Sequence, residues 1–547
     1  MKLSPWVLDK LLGKQMSREL RAHVSAMANA PERASRDRAA ATLAVLAERP
    51  GPHVNVGETD GGQEISLPLP DLVRLHALIT GGSGSGKTMA MLLIVNAMLA
   101  CSEDFRFGCA LIDGAKSDLF LGALYLVKRR LEELASADRA AASRLRRRVR
   151  IIDFAGPPAT ITPFNLLARW PDADPDAFAA HQVELLLDLV PDGDALKLAA
   201  APLKTLVQIL SAPEISGSVI DLIQVLDDEI RFADMLARCV DATLLDTVRR
   251  QFGSLSRSTK SALRRRLEVL TSSVNVARMF VGRTAPDFRR FQDDGCFVLV
   301  NCAGPNISGR LAQFLNTLVV SNFCRAVYAR GNPEIPFVVI ADESQHLFAS
   351  QTMREHLQDA GRLSRRYGTY FWFITQNLSA SVPDPRLLRL LHTNVGWTWW
   401  GRGDPADCAF LKPVMPVAGR RMRPRREAFE APRFYTDAEE RALLIEETAN
   451  LPNRTAYFSW KGQLSEALRL RTAQLDIPQG RELETAVLSL RSDPTIGQRL
   501  SRTAYDQSIR AREVKASVSA GNVESSLEGA YRQNRVTRGS GNGGCRT

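Results

Sequence analysis

The stretch LITGGSGSGKTMAM, residues 78–91, places a loop rich in glycine and serine between two apolar runs. Within it, GGSGSGKT fits the pattern G-x-x-x-x-G-K-[S/T], and the strand-like run LHALIT leads into the loop. Glycine lets the backbone turn its N–H groups onto phosphate oxygens, because a Cβ would block that approach. A flexible linker would not carry Lys-Thr between a strand and an apolar helix, so the loop predicts nucleotide binding. The predicted nucleotide contacts are Gly81, Gly82, Ser83, Gly84, Ser85, Gly86, Lys87 and Thr88.

Lys87 and Thr88 have the side chains that a triphosphate and its metal ion require. The lysine ammonium supplies a point charge for the β- and γ-phosphates, and the threonine hydroxyl is a ligand for Mg²⁺. The helix that begins here adds the positive end of its dipole. We therefore expect ATP and Mg²⁺ as the substrate and cofactor of this loop.

A second element supplies carboxylates. In IPFVVIADESQHLF, residues 335–348, an apolar strand ends in Asp342 and Glu343. We expect Asp342 to hold Mg²⁺ and Glu343 to act as the general base that polarises the attacking water. The alternative is a solvated strand end, but the phosphate loop upstream favours hydrolysis.

A third element is GRLSRRYGTYFWFITQN, residues 361–377, in which an aromatic strand ends in Thr-Gln. A glutamine at the tip of a neighbouring strand can bond the water or the γ-phosphate, so Gln376 is our third catalytic candidate after Lys87 and Glu343. A helix-capping amide is the alternative interpretation of Gln376.

The rest of the pattern predicts an α/β fold with five domain segments. Short, nearly continuous apolar runs indicate strands of a mainly parallel sheet that is covered on both faces. From Asp172 to about Phe288, apolar residues recur at helical spacing. We predict an N-terminal helical segment (1–50), a first ATPase-core part (51–171), an all-helical insertion (172–288), a second core part (289–480) and a polar, basic, partly disordered tail (481–547).

Composition indicates which partners and which compartment to expect for the protein. The chain has 547 residues, 45% of them hydrophobic, as is typical of a soluble globular protein. Its net charge of +11 indicates a polyanionic partner, either nucleic acid or a membrane surface; the alternative is that the charge serves only solubility. Eight cysteines without a C-x-x-C pair predict small buried side chains in a reducing compartment. No signal peptide or membrane segment is visible, so we expect a cytoplasmic protein that reaches the inner membrane only through a partner.

Several stretches, taken in order, resemble the HerA–FtsK superfamily of ring-forming P-loop ATPases that pump DNA, and within it the type IV secretion coupling proteins. Besides the phosphate loop and the two elements above, the stretches are ALIDGAKSDL (110–119), IIDFAGPPATITPFNLLA (151–168) and LLHTNVGWTWWGR (390–402). The likeness spans about residues 54–465. It departs from the coupling proteins in lacking their initial membrane helices, which favours a soluble relative or one docked to a separate membrane or secretion subunit.

The resemblance implies a RecA-like core, a homohexameric ring with ATP between subunits, and DNA threading its centre. It also implies an arginine finger from the neighbouring subunit, for which the candidates by position are Arg362, Arg365, Arg366 and Arg402. Arg365 and Arg402 are the two that we carry forward.

Basic clusters indicate where a polymer could bind. The loop GRRMRPRRE, residues 419–427, contains Gly419 and Pro424 and is not helical in pattern. Its candidate DNA contacts are Arg420, Arg421, Arg423, Arg425 and Arg426. For each of the clusters at 144–150, 249–251 and 260–270 taken alone, a solvated helix face is the preferred interpretation. The leading hypothesis is an ATP-driven DNA translocase; the alternatives are an ATPase that energises protein secretion or assembly, and a nucleotide-gated ring scaffold in DNA defence.

Overall fold

A computed structural model gives the architecture. It describes residues 41–510 except 102–104, 158, 171–172, 189–198, 379–381, 383–384, 405, 409–416, 418–422, 424–432 and 498. These residues divide into two compact units: a sheet unit, from the described residues of 41–155 and 287–491, and a helical unit, from those of 156–286 and 492–510.

The sheet unit is built on eleven strands in the order β2-β1-β12-β11-β10-β3-β9-β8-β4-β7-β5. Seven neighbouring strands, from β10 to β5, are parallel, and the other four pair antiparallel at one side. The strands are β1 His53–Thr59, β2 Glu64–Pro68, β3 His76–Thr80, β4 Gly108–Asp113, β5 Val149–Asp153, β7 Phe297–Asn301, β8 Phe337–Ala341, β9 Thr369–Thr375, β10 Val395–Gly401, β11 Thr455–Trp460 and β12 Leu468–Thr472.

Burial explains why the apolar runs form the centre of this sheet. Every residue of β3, β4, β7, β8, β9 and β10 is buried, whereas β12, in the antiparallel part, alternates between buried and exposed. A strand buried on both faces has no polar side to present, so its sequence is continuously apolar. The predicted mainly parallel sheet is confirmed.

Helices cover the sheet. In chain order they are α1 Leu69–Leu72, α2 Lys87–Ala100, α3 Asp118–Ala137 and α4 Arg139–Arg148, followed in the later part of the unit by Phe288–Asp293, Gly309–Val327, Gln345–Ala349, Gln351–Leu363, Pro385–Asn394, Asp437–Ala449 and Gly480–Ser492. Helix α2 is apolar almost all round, with eight buried residues, because it packs in the interior. Seven cysteines in the described part are free, and all but Cys101 are buried, in keeping with their predicted role as small apolar side chains.

The helical unit contains α5 Pro175–Asp188, α6 Ala200–Ser211, α7 Val219–Val225, α8 Glu229–Arg238, α9 Ala242–Ser254, α10 Arg257–Leu267 and α11 Val274–Val281. Side-chain caps fix several of their starts. Asp241 accepts hydrogen bonds from the N–H groups of Thr243 and Leu244, and Ser218 forms a capping box with Asp221. The described residues from 173 to 286 contain helices and turns but no strand, as the all-helical insertion of the predicted fold class requires.

The helical unit begins at residue 156, earlier than the predicted start at 172, because the segment after β5 bonds to the helices. The Phe164 N–H donates to the Met279 carbonyl at 2.8 Å, and the Asn165 side chain donates to the Gly217 carbonyl at 2.8 Å. The expected polar tail also begins differently. Residues Gly480–Ser492 form a helix, and β13 Leu500–Ser501 pairs with β6 Thr160–Ile161. Residues 1–40 and 511–547 lie outside the described part.

Candidate nucleotide site

The parallel strands bring polar side chains to one edge of the sheet. Because parallel strands all end on the same side, the residues that follow them meet there. Register shows this alignment: Thr80 pairs with Thr375, and Asp113 pairs with Asn301. The phosphate loop follows β3, Gln376 follows β9 and Asp342 follows β8, with β9 lying between β3 and β8.

The phosphate loop has a backbone that only glycine adopts easily. Gly81, Gly84 and Gly86 have φ values of +141°, +79° and +93°, and Gly86 is the N-cap of α2. A Cβ on Gly81 would lie 2.8 Å from the Gly401 Cα. The loop is also held from outside, since the Gly82 N–H donates to the Arg402 carbonyl at 2.5 Å and the Arg454 N–H donates to the Gly84 carbonyl at 2.9 Å.

Lys87, the first residue of α2, folds back over the loop. Its ammonium donates to the Gly82 carbonyl at 3.0 Å and to the Gly81 carbonyl. Burial lowers the pKa of Lys87, while the charges of Asp342 and Glu343 raise it in part. The ammonium therefore lies within electrostatic range of both acids. Thr88, in the same first turn, is exposed.

Asp342 and Glu343 occupy different environments. Burial, followed by the charges of Asp113 and Glu343, raises the pKa of Asp342 to about 7. A bound cation would reverse this effect, because it favours the ionised carboxylate. Glu343 is 7% exposed and has φ of +53°, a conformation that is rare for a residue with a side chain.

Two glutamines orient the Glu343 carboxylate. Gln376 donates to its Oε1 and Gln345 donates to its Oε2, while the Thr375 hydroxyl donates to the Gln345 Oε1 at 3.1 Å. A carboxylate held at both oxygens keeps one orientation, which suits a group that must align a water molecule. The structure thus brings Gln376 and Glu343 into direct contact.

Sequence reasoning did not single out Asp113, which organises the neighbouring loop. Its Oδ1 accepts from the N–H groups of Ala115, Lys116 and Ser117, and its Oδ2 accepts from Leu119 at 2.9 Å and Phe120 at 3.0 Å. Burial raises the pKa of Asp113, and the bonds from Phe120, Ala115, Ser117 and Lys116 lower it in part. The sequence signal for Asp113 was an acid at the end of the apolar run CALID. Asp113 fixes the loop beside Asp342.

The arginine-finger candidates lie in different places. The Arg402 backbone bonds the phosphate loop of its own chain, and its side chain is exposed. Arg365 and the exposed Arg366 precede β9, at the opposite edge of the sheet, where Arg365 donates to the Asn394 carbonyl. Arg362 lies in the helix Gln351–Leu363, and its side chain is outside the described part.

Of the candidate DNA contacts, the structure describes only Arg423. Its Nη2 donates to both carboxylate oxygens of Glu439, at 2.5 and 2.6 Å, and its guanidinium lies 5.4 Å from the centre of the Tyr435 ring. The positive charge of Arg423 is therefore already matched by a carboxylate. Arg420, Arg421, Arg425 and Arg426 lie outside the described residues.

Comparison of three-dimensional structures finds this fold in conjugative coupling proteins. The unbound bacterial conjugative coupling protein TrwBdeltaN70 matches with a TM-score of 0.54 and 17% identity, over 80% of this chain and 93% of that one. The plasmid coupling protein TrwB in complex with a non-hydrolysable ATP analogue, ADPNP, matches with a TM-score of 0.50 and 15% identity, over 80% and 98%. No protein-family model and no curated protein sequence matches the chain.

These matches confirm the predicted RecA-like P-loop fold and its resemblance to the coupling proteins. None of the helices that the structure describes has the length and apolar character needed to span a bilayer.

Proposed function

We propose that the protein is an ATP-hydrolysing motor of the conjugative coupling type that moves DNA as a ring of identical copies. The observation that carries the proposal is the meeting of Lys87 with Asp342 and Glu343 at one sheet edge, beside a loop shaped to bind phosphate. Phosphoryl transfer to water requires a cation for the phosphates, an acid for the metal ion and an oriented carboxylate for the water, and Lys87, Asp342 and Glu343 would supply them.

The loop and Lys87 would bind the triphosphate. The N–H groups that follow the glycines and the start of the 14-residue helix α2 favour anionic oxygens. Lys87 now donates to two loop carbonyls, and we expect it to exchange them for the oxygens of the β- and γ-phosphates. This exchange replaces neutral acceptors with charged ones, which form stronger hydrogen bonds.

Thr88 and Asp342 would hold Mg²⁺, which supplies charge neutralisation for the phosphates when it is bound. The residues fit this cation, since oxygen ligands suit Mg²⁺, and desolvation together with the charges of Asp113 and Glu343 raises the pKa of Asp342, an effect that a bound cation would oppose. Glu343, fixed by Gln345 and Gln376, would take the proton of the attacking water. Gln376 would then sense the γ-phosphate through the same contact.

DNA as the polymer is supported by the net charge of +11 and by the fold shared with coupling proteins. In a ring, an arginine of the adjacent copy would complete each site. Arg365 suits that role better than Arg402 by position, because Arg402 lies beside the phosphate loop of its own chain whereas Arg365 lies at the far edge of the sheet, where its side chain would exchange the Asn394 carbonyl for phosphate.

The test is ATP hydrolysis with and without DNA. We expect the wild-type rate to rise on adding duplex or single-stranded DNA, and Lys87→Ala and Glu343→Gln to lose about a hundredfold or more of it. E343Q should still bind ATP, because it keeps the loop. Lys204→Ala, which removes a half-buried lysine paired with Asp176, is the matched control and should hydrolyse ATP normally.

Two outcomes would redirect the proposal. Normal hydrolysis by K87A or E343Q would remove its basis. Hydrolysis that DNA leaves unchanged but a secretion subunit stimulates would identify an ATPase for protein export. Sedimentation with and without ATP and Mg²⁺ tests the ring, and a species that stays monomeric with nucleotide and DNA contradicts it.

A further inference from the structure

The helical unit carries a strongly basic segment that the nucleotide site does not use. Residues 249–266 contain seven lysines and arginines and no aspartate or glutamate. They span the end of α9, the turn after it and most of α10. We call this segment the basic corner.

Carboxylates elsewhere in the helical unit neutralise only part of this charge. Arg250 pairs with Asp246 at 2.7 Å, and Arg264 pairs with Glu268 at 2.9 Å and with Asp227. Three other arginines of the corner are exposed and have no carboxylate partner among the described residues. They are Arg249, Arg257 and Arg265.

The corner is held in shape by its apolar side. The Lys260 ammonium lies 3.8 Å from the centre of the Phe252 ring, which joins α10 to α9, and Phe252 stacks on Phe232 at 4.4 Å. Phe252 and Leu263 are 5% and 2% exposed. A helix that binds a membrane surface needs a free apolar face, and here that face is already packed.

The exposed surface of the basic corner presents arginine side chains and hydroxyl groups. Ser258 is exposed and Thr259 is half-buried on the first turn of α10, next to Arg257, and Ser256 caps that turn by accepting from the Thr259 N–H at 3.1 Å. Arginine, serine and threonine are the side chains that position proteins on nucleic-acid phosphates without reading sequence. The composition of the surface therefore favours nucleic acid over lipid.

The spacing of the free charges fits a phosphate backbone. Arg257 and Arg265 lie eight residues apart on one helix, so they are separated by about 12 Å along its axis and about 80° around it. Phosphates of one DNA strand follow each other at about 3.4 Å along the duplex axis. The two arginines thus span about three to four phosphates, and Arg249 extends the positive surface onto α9.

We propose that the basic corner binds the phosphate backbone of a nucleic acid through Arg249, Arg257 and Arg265, independently of sequence. This assignment rests on the proposed DNA motor for its biological sense, but it concerns the helical unit and predicts binding without hydrolysis.

The experiment measures how DNA affinity depends on salt. The full chain, without nucleotide, is titrated onto a fluorescent 30-base-pair duplex between 50 and 200 mM salt. The test variant is R249Q/R257Q/R265Q. The matched control removes three arginines that each pair with a carboxylate, as R231Q/R290Q/R502Q, and so changes the net charge equally; Arg231 and Arg290 are exposed and Arg502 is half-buried.

Each lost phosphate contact reduces the slope of log affinity against log salt by about 0.9, so the test variant should lose about 2.7 from it. Over the fourfold salt range, the wild type should then lose about 40 times more affinity than the test variant. The control should keep the wild-type slope. A test variant with the wild-type slope overturns the proposal, as does one that loses binding only to vesicles of anionic phospholipid.

The outcome is distinguishable from failure of the proposed motor. R249Q/R257Q/R265Q should retain the ATP hydrolysis seen without DNA, and K87A should retain DNA binding. If the wild type does not hydrolyse ATP at all, the motor fails, yet the salt slopes still decide whether the basic corner binds DNA.

Discussion

Gly401 ends strand β10 directly against the phosphate loop, and the structure leaves no room for a side chain there. An alanine Cβ would lie 2.3 Å from the Ser85 Cβ and 2.7 Å from the Ser85 Oγ. Carbon atoms in contact are normally about 3.5–4.0 Å apart, so Gly401→Ala must displace the loop by about 1.2–1.7 Å. Ser85 is 1% exposed and its hydroxyl donates to the Gly82 carbonyl at 2.8 Å, so the displacement passes into the phosphate-binding turn.

We expect the loss to appear in nucleotide chemistry more than in stability. A misplacement of about 1 Å can lower a catalysed rate about a hundredfold, whereas one extra methyl group in a packed site destabilises a protein by about 1–3 kcal/mol. In G401A, kcat/KM for ATP should therefore fall about a hundredfold, and binding of a fluorescent ATP analogue should weaken. Steady-state hydrolysis, analogue titration and thermal unfolding measure the three quantities.

Two variants isolate the cause. Gly403→Ala changes the next glycine of the same loop, where the nearest atom to the new Cβ is the Cys408 Sγ at 3.9 Å, and should behave as wild type. Ser85→Gly removes the atom that clashes, so G401A/S85G should be more active than the product of the two single effects. Full activity of G401A, or a double variant no better than that product, would refute the steric reasoning.

Three further changes test other parts of the sheet unit. Because burial raises the pKa of Asp342 to about 7, the metal-free folded protein retains a proton that the unfolded chain releases near pH 4. Stability should thus fall as pH rises from about 4 to 7, by up to about 1.4 kcal/mol per pH unit, relative to D342N in urea denaturation. Arg330 has a fully buried side chain that pairs with Asp293 at 3.5 Å. Changing Arg330 to Met should lower the free energy of unfolding by about 3–5 kcal/mol, and R330K should recover only part of that loss. Arg491→Gln removes the guanidinium that pairs at 2.6 Å with the Asp153 carboxylate, which is 4% exposed, and should lower the free energy of unfolding by about 2–3 kcal/mol. A smaller loss in R491Q/D153N would show that the unpaired buried carboxylate is the cause.

The parts of the site that are local in sequence could be predicted from it. The phosphate loop needs glycine at fixed offsets from Lys87, and the acid pair needs only a buried strand before it, so both patterns stand out in a single stretch. The strand β9 could likewise be predicted from its aromatic run, and the structure adds that it lies between β3 and β8. That position is what lets Gln376 reach Glu343.

Contacts between distant segments could not be predicted in this way. Gly401 and Arg454 touch the phosphate loop from more than 300 residues further along the chain, and nothing in their local sequence indicates a nucleotide site. Phe164 bonds to the helix α11 and Asn165 to the loop before α7, more than 50 residues further along the chain, and composition does not indicate such contacts. The helix Gly480–Ser492 is polar on most of its surface, with only Leu483, Val487 and Leu490 buried, so its composition resembles that of a tail.

The position of β9 also restricts how the site could report the nucleotide. All seven residues of β9 are buried, and parallel partners bond it on both sides, so the strand cannot slide without breaking both ladders. A response must therefore begin in side chains and in the turn after β8. Glu343 is placed for this, since its φ of +53° is a strained conformation held by the bonds from two glutamines. If a γ-phosphate accepts the hydrogen bond of Gln376, Glu343 loses one of these two bonds. The turn after β8 can then relax from its strained conformation.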